Sequence, residues 1–184
     1  MAATAHDSLG DLAWESAATR PDLLAPVVLA ALSGAAWAAD VLVAAIDPAV
    51  ADTAALVAAH GVPLDASANC VLVSGRRAGV ERVAACLVLA SGRADVNGVA
   101  KRTLDVRKAS FLATDDAVER SGMEYGGITA LGLPPGWTVL VDAEVAAAPV
   151  VVVGSGVRHS KLALPGRHLA SLPGAQVVAG LALR

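Results

Sequence analysis

Aromatic residues are scarce in this chain of 184 residues, which has one Phe, one Tyr and three Trp. Its core therefore has to be built from Ala, Val and Leu, and few rings are left over as stacking platforms for nucleic-acid bases. Cysteine is equally sparse. Cys70 and Cys86 lie in apolar surroundings, with no CxxC spacing and no clustered histidines, so neither a disulfide framework nor a zinc site is expected and a reduced, cytoplasmic protein fits best. The N-terminus has no basic segment ahead of an apolar run and does not read as a signal peptide. The alanine-rich stretch from Leu23 to Ile46 is interrupted by Pro26, Gly34 and Asp40, which argues against a membrane span. A GxxxxGK[ST] phosphate loop is missing, and so is a GxGxxG turn after a strand, which disfavours P-loop and dinucleotide chemistry.

The composition is that of a globular protein, 55% hydrophobic and 17% charged, and the length suits one domain with a substantial core. Net charge is −3, too acidic for a nonspecific coat on nucleic acid, but the charge is unevenly placed. Residues 1–70 hold eight carboxylates against Arg20 alone. Basic residues gather later, at Arg76, Arg77, Arg82, Arg93, Lys101, Arg102, Arg107 and Lys108, a cluster that suits a local contact with a polyanion or a solvated surface.

Periodicity and punctuation predict a helix after Arg20-Pro21-Asp22 that stops near Gly34, a strand over 40–46, and a helix over 52–60 broken at Gly61-Val62-Pro63. Residues 69–74 and 83–90 read as a β-hairpin with a long basic tip at Gly75 to Gly79. A helix over 95–104 with Asp95 as N-cap, a strand over 108–112 and a helix over 115–121 follow. Short strands are expected at 139–142 and 150–153, with turns, Leu169 to Leu172 and Gln176 to Val178 in the tail. The irregular interleaving indicates a mixed α/β (α+β) fold, not a regular doubly wound one.

The stretch SGMEYGGITALGLPPGW, Ser121 to Trp137, concentrates Gly122, Gly126, Gly127, Gly132 and Gly136 with Pro134 and Pro135. Glycine lets another molecule approach the main chain closely, so Gly126-Gly127 is a candidate pair of exposed N–H donors for an oxyanion or a phosphate, with the Thr129 hydroxyl beside them.

Gly122-Met123-Glu124-Tyr125-Gly126-Gly127-Ile128-Thr129-Ala130-Leu131-Gly132 resembles the GxxxGG[VI][ST]PxG signature of the YbaK/EbsC family, aminoacyl-tRNA deacylases related to the editing insertion of prolyl-tRNA synthetase. The likeness spans residues 40–180, leaving 1–39 as an N-terminal helical addition to a single domain. It implies a largely antiparallel, barrel-like sheet flanked by helices, and hydrolysis of the ester joining a wrong, small amino acid to tRNA, with no metal or organic cofactor. By position it implies Gly126, Gly127 and Thr129 at the reacting carbonyl, and Asn69, Gly122, Ile128, Asp142, Gly154, Ser155, Gly156 and His159 around the acyl group. Arg76, Arg77, Lys101, Arg107, Lys108, Arg158 and Lys161 would meet the phosphates of the acceptor end. The implied partners are aminoacyl-tRNA and an aminoacyl-tRNA synthetase, with no DNA and no membrane. Two positions depart from the pattern: Asn69 stands where the family has a lysine, and Ala130 where it has a proline. The competing reading is a noncatalytic module that keeps the pocket for a tRNA end, a synthetase or a small metabolite.

Overall fold

The structure, a computed structural model, describes residues 9–184. The chain opens with a two-residue strand, β1 (Glu15–Ser16), and a 3-10 turn at Pro21–Leu23, before helix α1 (Pro26–Ser33). Pro26 sits in the first turn of α1, where the missing N–H is harmless, and so starts the helix. Strand β2 (Leu42–Ala45) and helix α2 (Thr53–His60) follow. Asp52 caps α2 by accepting from Ala54 N and Ala55 N, and Gly61 ends it in the left-handed conformation.

Strands β3 (Ala68–Arg77) and β4 (Val80–Leu89) form one long hairpin paired along its whole length. Its turn is only Ala78-Gly79, both at positive φ, so the long basic tip expected from the sequence is instead paired strand up to Arg77. After β5 (Arg93–Ala94), Asp95 caps a π-helical turn, Val96–Ala100, that runs into the short helix α3 (Lys101–Thr103). Then come β6 (Ala109–Phe111), α4 (Thr114–Ser121) and, beyond the glycine-rich loop, β7 (Thr138–Asp142). The alanine-rich segment after it is helix α5 (Ala143–Ala147), which leads to β8 (Val151–Gly154), β9 (Ser160–Leu164), α6 (Gly166–Ala170), β10 (Ala175–Val178) and β11 (Ala182–Leu183).

The strands make a five-stranded sheet in the order β10-β7-β4-β3-β6, a four-stranded sheet in the order β1-β2-β9-β8, and the small pair β11-β5. Pairing is antiparallel except for β7 with β4 and with β10. The two larger sheets meet where Ser67, just before β3, bridges to Val152 of β8, and they do not close into a complete barrel. Alternation along β4 explains the layering: Ala85, Leu87 and Leu89 point into the main core between the sheets, whereas Ala84, Cys86 and Val88 point to a second cluster under Val96, Ala100 and Leu104. In β9, Leu162 and Leu164 face the main core, while Ala163 faces a third cluster with Leu56 of α2. By the same alternation Lys161 is directed to the α2 side. No helix among the described residues is long and apolar enough to cross a membrane.

Candidate functional site

A cavity of about 560 Å³ opens at the seam between the two sheets. Its walls come from the cap and first turn of α2 (Asp52, Thr53), the start of β3 (Ser67 to Val71), the glycine-rich loop (Tyr125, Gly126, Ile128), the end of β8 (Val152 to Gly154) and the following turn and strand (Arg158, Lys161). Segments far apart in sequence meet here because each is the end of an element, where the chain leaves its sheet.

The glycine-rich loop is built for close packing. Gly126 has φ +85°, a conformation that disfavours any side chain. A Cβ on Gly127 would come within 2.4 Å of Val157 O, and one on Gly154 within 2.2 Å of Gly127 O. The loop therefore lies directly on the β8–β9 turn, and Gly156 N donates to Gly127 O at 2.8 Å across that contact. Gly127 N donates to Glu124 O at 2.9 Å, so this N–H is spent inside the turn, and the expected pair of outward donors reduces to Gly126. Behind the loop lies the N-terminal segment: a Cβ on Gly132 would meet Val27 O at 2.3 Å, and Ala25 N donates to Ser155 O at 3.1 Å.

Two cations reach the cavity from the side of β9. Lys161 is 7% exposed, and its Nζ donates to Ala51 O at 2.7 Å and to Gly126 O at 3.3 Å. Burial, followed by the nearby Arg158 charge, pulls its pKa from 10.5 down to about 8, although Asp52 acts in the opposite direction. Arg158 donates to Tyr125 O at 2.8 Å and to Pro48 O at 3.1 Å, and its backbone N donates to a Glu124 carboxylate oxygen at 2.6 Å. From the start of β3, Asn69 accepts from the Thr53 hydroxyl at 2.7 Å, which directs its amide NH2 elsewhere. Cys70, half-buried beside Asn69, has its thiol pushed up by burial, as has Cys86 (to about 12). Both stay protonated at neutral pH and are poor nucleophiles.

The other residues singled out in the sequence do not line this cavity. Thr129 is fully buried behind the loop, and its hydroxyl has no partner among the described residues. Asp142 is a structural cap: one carboxylate oxygen accepts from Glu144 N and the other from Ala182 N, tying the C-terminal strand to β7. The Ser155 hydroxyl bonds with Ser160 Oγ at 2.7 Å, and Ser160 in turn donates to Leu23 O, so this pair fastens the N-terminal segment. Gly156 packs on Ala25, Gly122 ends α4 at φ +68°, and His159 lies on the turn, outside the cavity wall. Arg76 and Arg77 are exposed at the far end of β3, on the order of 25 Å from Asn69 at ~3.4 Å per residue. Arg107 and Lys108 are exposed before β6 and Lys101 is half-exposed on α3, all outside the cavity wall.

The deciding finding is a match of residues 47–172 to the model of the aminoacyl-tRNA editing domain. The chain belongs to this family. No curated protein matches. Among solved structures, one described as a candidate trans-editing enzyme for prolyl tRNA synthetase superposes with a TM-score of 0.70 at 19% identity, covering 85% of this chain and 97% of that one. A scaffold used for computational epitope grafting matches with a TM-score of 0.71 at 19% identity, over 84% of this chain and 95% of that chain. A candidate signal transduction protein from Marinobacter aquaeolei VT8 matches at 0.56 and 19% identity, over 86% of this chain but 30% of its own length. At these identities the likenesses show a shared fold. Sequence reasoning names Lys161 only as a phosphate contact and misses its burial in the cavity wall, for which the alternation of SKLAL along β9 is the available signal.

Proposed function

We propose that this protein is a trans-acting editing hydrolase that deacylates a mischarged tRNA bearing a small amino acid. The carrying observation is the seam cavity, where the glycine-rich loop, the start of β3 and the buried Lys161 converge on one space. In the reaction, water adds to the ester carbonyl, the bond from that carbon to the ribose oxygen breaks, and the proton passes to the ribose oxygen. Free amino acid and a tRNA 3′ end are released. Leu56, Leu64, Ile128, Val152 and Val153 give the cavity apolar surface suited to a short side chain. Gly126 N–H supplies the donor nearest the carbonyl in this reading, and Asn69 supplies an amide in place of an ammonium.

The noncatalytic alternative draws on one observation: with Gly127 N–H engaged by Glu124 O, the loop lacks the second donor that oxyanion stabilisation usually uses. The domain extent goes with the proposal. Residues 40–180 form the editing core, and the N-terminal segment acts as a buttress for its glycine-rich loop. Deacylation of a panel of mischarged tRNAs by the purified protein decides between the two readings. Hydrolysis above buffer for at least one pair is expected, and a flat panel would leave only the binding module.

A further inference from the structure

Burying an ammonium without a carboxylate partner is costly, and such a group persists where it is used. Among the described residues Lys161 has no ion pair, and both its hydrogen bonds go to neutral carbonyls, Ala51 O and Gly126 O. An ammonium has three donors, so one is left over in the cavity that Lys161 lines. The other charged groups facing it are few. Arg158 adds a second positive charge on the same wall, Asp52 spends one carboxylate oxygen capping α2, and the Glu124 carboxylate accepts from Arg158 N. Asn69, which lines the same cavity, has an NH2 group not taken up by Thr53. The convergence is therefore of donors, two of them charged, around a space lined by one carboxylate, Asp52, which spends one of its oxygens on the α2 cap. An aminoacyl ester carries its own cationic α-ammonium, which this wall repels.

We propose that Lys161, with Arg158 and the Asn69 amide, forms an oxyanion-binding subsite that sets the direction in which the ligand enters the cavity. Which oxyanion is meant rests on the editing reading: a phosphate of the terminal nucleotides or a carboxylate on the acyl side chain presents the same chemistry.

Isothermal titration of the full chain at low salt and pH 7 with two matched pairs tests this. Adenosine 5′-monophosphate against adenosine probes the phosphate, and N-acetyl-aspartate amide against N-acetyl-asparagine amide probes the carboxylate. In at least one pair the anion should bind about tenfold more tightly, the scale of one charge-assisted hydrogen bond. Lys161→Met should remove that preference, weakening the anion's binding far more than the neutral member's. Lys161→Arg should keep it, which separates charge from a folding defect. The preference should also fade as pH is raised well past 8. Equal affinities within both pairs, no binding of either anion at about millimolar concentration, or a preference that survives in Lys161→Met would each overturn the subsite. A tenfold preference with no deacylation of any mischarged tRNA would sink the editing reading and keep the subsite; deacylation with no preference would do the reverse.

Discussion

Lys161 should give the protein a pH dependence of stability opposite in direction to that of an ion-paired lysine, and replacing it by Met should remove that dependence. In the folded protein the ammonium titrates near 8, against 10.5 for a free lysine. The folded state therefore binds fewer protons than the unfolded chain between those values, and stability rises with pH across that window. Below pH 8 the charged lysine costs roughly 3 kcal/mol, at about 1.36 kcal/mol per pH unit, and by pH 10 most of that cost has gone. The two buried thiols act the other way, because their raised pKa values mean that stability is lost as pH climbs above 9. Comparison with the variant cancels them. Urea unfolding of both proteins between pH 7 and 10 should show the stability difference, wild type minus variant, rising by roughly 2.5 kcal/mol, mostly above pH 8. With an m-value of about 2.5 kcal/mol/M, that is a shift of about 1 M in relative midpoint. A difference that stays flat or falls with pH would refute the assignment of Lys161 as a buried, unpaired ammonium.

Four further outcomes follow from particular contacts. Gly127→Ala pushes a methyl group into Val157 backbone, so unfolding measurements should show a loss of ~1–3 kcal/mol together with loss of any deacylase activity. Thr129→Val replaces a buried, unpartnered hydroxyl with a methyl group and should raise stability by about 1 kcal/mol in the same assay; a loss would mean that the hydroxyl has a partner. Asp142→Ala removes a helix cap and the tether to Ala182, costing ~1–3 kcal/mol, and should speed amide exchange in Ala182–Leu183. Moving the ammonium from β9 to β3, with Asn69→Lys and Lys161→Asn combined, should recover deacylation lost in Lys161→Asn alone, because both positions line the same space.

The elements that were legible in the sequence are those whose local signals agree with their tertiary setting. Asp52 and Gly61 bracket α2, Asp95 caps the helical turn after β5, and the alternating run of β4 packs apolar residues on both faces. What was hidden depends on partners distant in sequence. Asp142 looks like a site carboxylate at the end of a strand, and only the approach of Ala182, forty residues on, shows it to be a tether. Gly127 stands in the signature-like stretch, yet its N–H is taken by Glu124 O and its Cα by the Val157 backbone, so its lack of a side chain is a packing requirement. Lys161 was the hardest to place. A lysine beside Arg158 and His159 reads as surface charge, and only strand alternation beneath α2 turns it inward.

That inward turn bears on one of the two departures from the family pattern, Asn69. Asn69 lacks the charge that the family resemblance implies at the start of β3, but charge in a cavity acts through space, and its origin on one strand or another matters less than where the ammonium sits. Asn69 and Lys161 line the same 560 Å³. The cation has a consequence that a lysine on β3 would not have: it is hydrogen-bonded to the carbonyl of Gly126, the loop residue whose N–H is proposed to face the substrate. Losing the ammonium should therefore loosen the glycine-rich loop as well as the anion subsite. Amide exchange at Gly126 and Gly127 should quicken in Lys161→Met and remain protected in Lys161→Arg. Exchange unchanged in both variants would show that the loop is held by Gly156 and Arg158 alone, and that Lys161 acts only on the ligand.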